Sequence, residues 1–326
     1  MTPSVRSRLW ASAVSFGLGF AAANYGILMI AQPDRWVWIA VAVLLMLTGA
    51  AGVLFADTTR AVSFWVILGI EVFAVFTIVP LLWTFTVATT PDGTTAQNLL
   101  PQDMTWEAFR GVFQSDVLRD AAGTSFLVSA LATVIAMPLA VSAAYALVHL
   151  QVRGRRLVYG FVLAALLVPV VALAGPFADQ LIAFDLYGSR LALVVPSLLI
   201  TVPLAIWLCV TVFRDTPWTL LDAVRADGAT RLQVLRQFTL PQLGPGVAVA
   251  ALLVFVAACN DFVIGAGLAP DQPSLPLPAT LLLVTERLDG SSQAVAAAGL
   301  VWLLLPLVLL LALPRRINHL LGRSYR

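Results

Sequence analysis

Apolar positions in this chain come in long unbroken runs, not in the alternating or one-sided patterns of soluble strands and helices. Eight such runs lie near residues 10–31, 36–56, 62–87, 121–148, 157–178, 190–213, 245–267 and 293–313. A bilayer core about 30 Å thick takes roughly 20 apolar residues per helical crossing, and backbone in lipid must satisfy its own hydrogen bonds. Each run is therefore read as a transmembrane helix, and the chain as an all-α polytopic membrane protein of about eight spans. The first run follows Arg6 and Arg8 and exceeds the roughly 7–15 apolar residues of a cleavable signal, so it is expected to stay as an anchor. Before span four, Trp106, Phe109 and Phe113 suggest an amphipathic helix lying on the outer surface with aromatic anchoring. Prolines recur within spans at Pro138, Pro169, Pro176, Pro196 and Pro203. Pro169 and Pro176 are seven apart and so nearly on one face, which predicts that span five is a kinked, pore-lining helix.

Composition agrees with this reading and narrows it. Of 326 residues, 60% are hydrophobic and 11% charged, with a mean hydropathy of +0.93. Soluble domains carry about 25% charged residues, so a soluble globular fold is excluded. All 19 basic residues are arginine, and 17 acids leave a net charge of +2. That balance does not make the basic stripe of a nucleic-acid binder. Sorted by loop with a cytoplasmic N-terminus, 14 arginines fall inside and Arg35, Arg110, Arg119, Arg190 and Arg287 fall outside. The positive-inside rule supports that orientation and places both termini in the cytoplasm. Acids gather instead in the external loop, at Asp92, Asp103, Glu107, Asp116 and Asp120.

Catalytic chemistry finds little to work with. Cys209 and Cys259 each lie inside a span and read as small packing residues. His149 and His319 sit beside arginines at cytoplasmic helix ends, and no His, Cys, Asp and Glu grouping has metal-ligand spacing. No glycine-rich phosphate loop occurs. Two acids fall at membrane depth, where ionisable groups are expensive and usually face a cavity or bundle interior. Glu71 lies near the middle of span three. Asp261, beside Asn260, is placed about 16 residues into span seven, roughly 24 Å along it and in the outer half. For Asp261 a contact on a solute path and a structural hydrogen bond stand as equal readings; for Glu71 the structural one is preferred.

The polar segment from Arg214 to Leu243 is the most patterned part of the chain. Thr216 and Pro217 supply an N-cap and a first-turn proline, so a short helix is expected over Trp218–Asp227, ending at Gly228 in a left-handed turn. Thr230 with Gln233 makes a capping box for a second helix, which Phe238, Leu240 and Pro241 are expected to close. Leu232, Leu235 and Phe238 are expected to line one side of it. Such a knob suits docking in a cleft of a soluble partner; lying on anionic headgroups is the other reading.

Here the sequence resembles a known family. Asp222-Ala-Val-Arg-Ala-Asp-Gly228-Ala, with Leu240-Pro241 at the family's interval, is similar to the EAA loop of ATP-binding-cassette (ABC) importer permeases. Asp222 stands for the Glu of that loop, Val224 for its second Ala, and Phe238 for its Ile. Pro80-Leu-Leu-Trp83, Ala143-Ala-Tyr145-Ala-Leu147, Arg153-Gly154-Arg155-Arg156, Pro203-Leu-Ala-Ile-Trp207 and Asn260-Asp261-Phe262 resemble the carbohydrate branch, especially the second permease of maltose-type systems.

The resemblance implies a six-helix type I permease core over residues 61–326 and two additional N-terminal transmembrane helices within 1–60. It implies that 214–243 is a coupling helix entering a cleft of an ABC ATPase dimer, through Asp222, Ala223, Val224, Arg225, Asp227, Gly228, Leu240 and Pro241. Asp222, one methylene shorter than Glu, would pair with a basic group there. ATP and Mg would bind that partner, and this chain would hold no cofactor and do no catalysis. A second permease chain, an extracytoplasmic sugar-binding protein and membrane lipid are the other implied partners, in a bacterial cytoplasmic membrane. The implied cargo is a sugar of di- or oligosaccharide size; Asn260, Asp261, Trp207 and Pro169 are candidates for its path, and the external segment Ala269–Gln293 would reach toward the binding protein. The alternatives are an importer of another small polar solute such as a phosphorylated polyol, an ion-coupled carrier, which would show inverted repeats, and a polytopic enzyme.

Overall fold

The computed structural model describes Gly19, Val43 and residues 64–91, 101, 103–150, 152–214, 228–268, 275–287 and 291–324. The first two predicted spans therefore lie outside the described residues, apart from Gly19 and Val43. Regular structure among the described residues is entirely helical: α1 (Phe64–Thr89), α2 (Glu107–Gln114), α3 (Asp116–His149), α4 (Arg155–Ala165), α5 (Val170–Ala183), α6 (Val194–Arg214), α7 (Arg231–Cys259), α8 (Phe262–Leu268), α9 (Leu277–Arg287) and α10 (Ser292–Ser324). Four helical stretches, Asp116–His149, Val194–Arg214, Arg231–Cys259 and Ser292–Leu309, are long and apolar enough to cross a bilayer. Phe76–Thr89, within α1, is a shorter apolar stretch. The chain falls into two compact units, residues 1–111 with 291–300, and residues 112–290 with 301–326.

In the first unit, α1 carries Pro80 in its interior. Hydroxyls of Thr77 and Thr84 donate to the carbonyls of Phe73 and Pro80, at 2.9 and 2.8 Å. Back-bonds of this kind satisfy a threonine hydroxyl within its own helix. Beyond α1 the chain returns so that the Thr105 N–H donates to the Thr89 carbonyl at 2.8 Å, and the Trp106 ring meets Phe85 edge-on at 6.3 Å.

The second unit is built on α3 and α6. Ser115 caps α3 by accepting from the Leu118 N–H. Its 34 residues give it roughly 51 Å at 1.5 Å per residue, longer than the predicted span because a polar first turn precedes the apolar run. Along one face Val128, Ala132, Ala136, Ala140 and Ala144 recur every fourth residue and are buried. On α6, Ser197, Thr201, Ala205, Cys209 and Phe213 repeat with the same period and are also buried. The two helices pair extensively, and α7 adds Ala250 and Val254 to the shared cluster. In lipid, hydrophobicity does not bring helices together, so close approach over small side chains supplies van der Waals contact in its place. Cys209 and Cys259 are buried free thiols.

Three expectations about helices need correction. Predicted span five is two helices, α4 and α5, because Pro169 has no N–H and restricts the residue before it. Pro169 sits at φ −71°, ψ 105° as the N-cap of α5, while the Leu167 and Val168 N–H groups close a turn onto Ala164 and Ala165; Pro176 stays inside α5. Predicted span seven starts earlier, at Arg231, and ends at Cys259, so it does not run through Asp261. The second helix of the polar segment is not closed by Leu240 and Pro241, since α7 runs without interruption from Arg231 through both residues to Cys259.

The reason is a π turn over Val234–Thr239. There the Leu240 N–H donates to Leu235, five residues back, and the buried Thr239 hydroxyl donates to Val234 at 3.1 Å. A proline clashes with the carbonyl four residues before it. Widening the turn just upstream shifts the hydrogen-bond register, so Pro241 enters the helix instead of ending it.

Candidate functional site

The polar segment is described from Gly228 onward; Asp222, Ala223, Val224, Arg225 and Asp227 lie outside the described residues. Gly228 has φ +88°. A Cβ there would meet nothing within 4 Å, so the glycine is required by backbone conformation and not by crowding. Thr230 and Gln233 form the capping box: the Thr230 N–H donates to Gln233 Oε1 at 2.8 Å, and the Gln233 N–H donates to Thr230 Oγ1 at 3.4 Å.

Beyond the box, the face of the helix differs from the expected one. Leu235 packs against the α3–α6 cluster, and Val234 and Thr239 are buried. Leu232 and Phe238, expected on the same side as Leu235, are exposed at 60% and 42%. The wide turn rotates the helix between its two ends, which a uniform 3.6-residue period misses. One side of this helix therefore seats on the membrane bundle, while two large apolar side chains and Arg231 and Arg236 face outward.

Asn260 and Asp261 lie in a helix break. The Asn260 side-chain amide donates to the Val256 carbonyl at 2.9 Å, and the backbone N–H groups of Asn260 and Asp261 turn back onto Val256 and Ala258. Such side-chain competition for a last-turn carbonyl favours an end to the helix. α8 follows and packs on α5, with Gly267 so close to Ala174 that a Cβ would come within 3.1 Å of it. Gly267 is five residues past Phe262 and Ala174 four past Val170. Each helix start is thus within roughly 8 Å, along its axis, of one contact point. The structure in this way relates Pro169 and Asp261 as residues heading two short helices that touch. Trp207 lies on α6, 41% exposed, its carbonyl accepting from the Thr211 hydroxyl at 3.0 Å. Glu71 lies in α1, with its side chain outside the described residues.

Two anchors of this region are not visible as motifs in the sequence. Gly265 of α8 faces α9 so tightly that a Cβ would lie 2.6 Å from Pro276 Cγ. The buried Ser125 hydroxyl, on α3, accepts from the Leu277 N–H at 2.7 Å. A serine every few residues in an apolar helix gives no hint of which one meets a backbone 152 residues away. His149, expected beside arginines, is buried between the rings of Tyr145 and Phe213, at 5.5 and 5.9 Å.

Residues 136–325 match the family described as "Binding-protein-dependent transport system inner membrane component". Over 261 residues the chain is 31% identical to the trehalose transport system permease protein SugB of Mycobacterium tuberculosis, covering 79% of this chain and 95% of that protein. It is 28% identical to the trehalose/maltose transport system permease protein MalG of Thermococcus litoralis, covering 67% of this chain and 79% of that one. Its fold is similar to a chain in the crystal structure of a bacterial alginate ABC transporter in complex with an alginate pentasaccharide-bound periplasmic protein, with a TM-score of 0.58 at 18% identity, over 78% of this chain and 92% of that chain. The chain belongs to the family of binding-protein-dependent transport system inner membrane components, and is a permease, a non-catalytic membrane subunit of an ABC importer.

Proposed function

We propose that this permease forms part of the path of a carbohydrate, of di- or oligosaccharide size, into a bacterial cytoplasm. The observation that carries the reading is the match to a trehalose permease along nearly all of that protein's length. In this reading the chain crosses the membrane eight times with both termini inside. Residues 1–60 supply two added helices, and α4 with α5 makes one broken crossing. A second permease chain completes the path, and an extracytoplasmic binding protein delivers the sugar.

Coupling to ATP hydrolysis falls to the segment 214–243. Asp222, Ala223, Val224, Arg225, Asp227 and Gly228 form the part that enters the ATPase cleft, and Leu240 and Pro241 fasten it to the membrane bundle. The continuous helix Arg231–Cys259 supports this, since a rigid helix passes displacement along its whole length while a hinge at Pro241 would absorb it. The exposed pair Leu232 and Phe238 supports it too, as apolar side chains on a protruding helix that a partner groove would cover. At the far end of the same helix Asn260 and Asp261 mark its break, so motion imposed by the ATPase would arrive at the candidate path. Trp207 would offer a ring face to the sugar, and Pro169 would keep the neighbouring helix pair open.

The test is ATPase stimulation of the assembled transporter, with its binding protein, across a panel of disaccharides, oligosaccharides and phosphorylated polyols. The expected result is stimulation by at least one sugar. Stimulation confined to phosphorylated polyols would overturn the carbohydrate assignment, and uptake persisting with the ATPase inactivated would overturn the coupling assignment.

A further inference from the structure

At the end of the bundle where α3 and α6 finish and α4 begins, a pocket of about 340 Å³ opens between the three helices. Arg155, Arg156 and Tyr159 of α4 and Arg214 of α6 line it, over a floor that includes Leu147 and Val210. The volume is at the low end of the roughly 300–1,000 Å³ of small-molecule sites.

Its charge is one-sided. Three guanidinium groups border one cavity, and among the described residues no carboxylate pairs with any of them. The Arg214 guanidinium lies over the Tyr159 ring, 5.2 Å from its centroid, which orients it without neutralising it. Gly154, at φ +81°, turns the chain so that Arg155 and Arg156 occupy the first turn of α4, the positive end of that helix's dipole. The two helix C-termini nearby contribute about half a negative charge each, which leaves the pocket strongly positive. Guanidinium groups bind phosphate in forked, paired hydrogen bonds. The apolar floor is formed by two helices long enough to span a bilayer, and basic pockets between membrane helices at an interface suit anionic headgroups.

We propose that this pocket is a phosphate site, occupied either by the phosphate of an anionic phospholipid headgroup or by free phosphate. The proposal does not rest on which solute is carried, so its failure and that of the sugar assignment are separate results.

The test uses the complete transporter in detergent, with native mass spectrometry after addition of phosphatidylglycerol or phosphatidylcholine, and calorimetric titration with inorganic phosphate. A lipid occupant predicts phosphatidylglycerol retained over phosphatidylcholine, with retention falling about tenfold in Arg155→Gln/Arg156→Gln. The charge-matched control Arg231→Gln/Arg236→Gln keeps that retention. A free-phosphate occupant predicts a binding heat that the first double variant loses and the control keeps. Tyr159→Leu, which retains every charge, is expected to weaken whichever signal is present by about threefold. Absence of both lipid preference and phosphate heat in the parent overturns the proposal whatever the variants do. So does a signal that the control loses as fully as Arg155→Gln/Arg156→Gln.

Discussion

The α3–α6 pair and the helix that leaves the polar segment are both apolar, both contain prolines and both contact the same cluster, yet they are built on opposite rules. In α3 and α6 small residues at successive fourth positions, Ala132 to Ala144 and Ser197 to Cys209, keep one ridge of each helix low, and the helices close over it. In the first turns of α7 the period itself changes, with hydrogen bonds five residues apart. One region gets its position from uniformity along its length, the other from a single local departure. The uniform pair is suited to act as a frame, and the departure decides which side chains the polar-segment helix presents. Gly228, Pro169 and the Asn260–Asp261 break belong with the second kind, since each alters chain direction at one residue.

The frame is where a substitution should do most harm. Ala140 is fully buried on its ridge, and Ala140→Leu places three further carbons between two closely paired helices. Overpacking of this kind costs about 3 kcal/mol at the upper end of its usual range. The expected outcome is a large drop in the thermal midpoint of the detergent-solubilised permease, with little protein inserted. Ala143→Leu, one turn away on a half-buried position, should be much milder. Equal damage at the two positions would mean that the fourth-residue ridge is not what holds the pair.

Gly228→Val comes next and separates the two rules. A β-branched residue at φ +88° costs about 2 kcal/mol locally, but nothing within 4 Å is displaced. The frame should therefore stay intact, with an unchanged thermal midpoint, while association with the ATPase and sugar-stimulated hydrolysis both fall at least tenfold. Gly228→Asn, a residue that tolerates the left-handed region, should recover most of that loss. If valine left hydrolysis untouched, the direction taken by the chain at 228 would not matter to coupling.

Ser125→Ala tests a single bond on which a broken region leans. The Leu277 N–H would be left buried without its acceptor, at a cost of about 1–3 kcal/mol. Hydrogen exchange at the Leu277 amide should speed up while the α3 and α6 amides remain protected. Equal loss of protection in α3 would place Ser125 in the frame itself.

How far the sequence could be read follows the same division. Hydropathy located α3, α6, α10 and the end of α1, because burial in lipid depends on average composition over about 20 residues. Capping chemistry located Thr230, Gln233 and the left-handed Gly228, because those interactions span only a few residues. The break at Asn260 was hidden, since an amide bonding back to Val256 looks in sequence like any polar residue in a span. The contact of Ser125 with Leu277 and the closeness of Gly265 to Pro276 depend on residues far apart in the chain, which periodicity does not connect. The alanine ridge was present in the letters at intervals of four, but hydropathy gives alanine and its larger neighbours the same sign and so passes over the feature that sets helix separation. Pro241 is a stop signal only for a regular α-helix, and the helix it joins is not regular.

Pro241→Ala isolates that irregularity with the smallest expected change in stability. Alanine restores an N–H and relieves the clash that the wide turn accommodates, while the buried Thr239–Val234 hydrogen bond still favours the π register. These terms oppose each other, so the thermal midpoint should move by the equivalent of about 0.5 kcal/mol or less. The informative readout is the accessibility of cysteines placed at Leu232 and Phe238 to a thiol reagent in the assembled transporter, with Cys209 and Cys259 buried and slow to react. A relaxed, uniform helix would rotate the Leu232 end relative to the bundle, changing the labelling rate at position 232 against that at 238 and lowering the hydrolysis stimulated by sugar. Should labelling and stimulation both match the parent, the π turn is held by Thr239 and its packing alone, and Thr239→Val becomes the substitution that must straighten it.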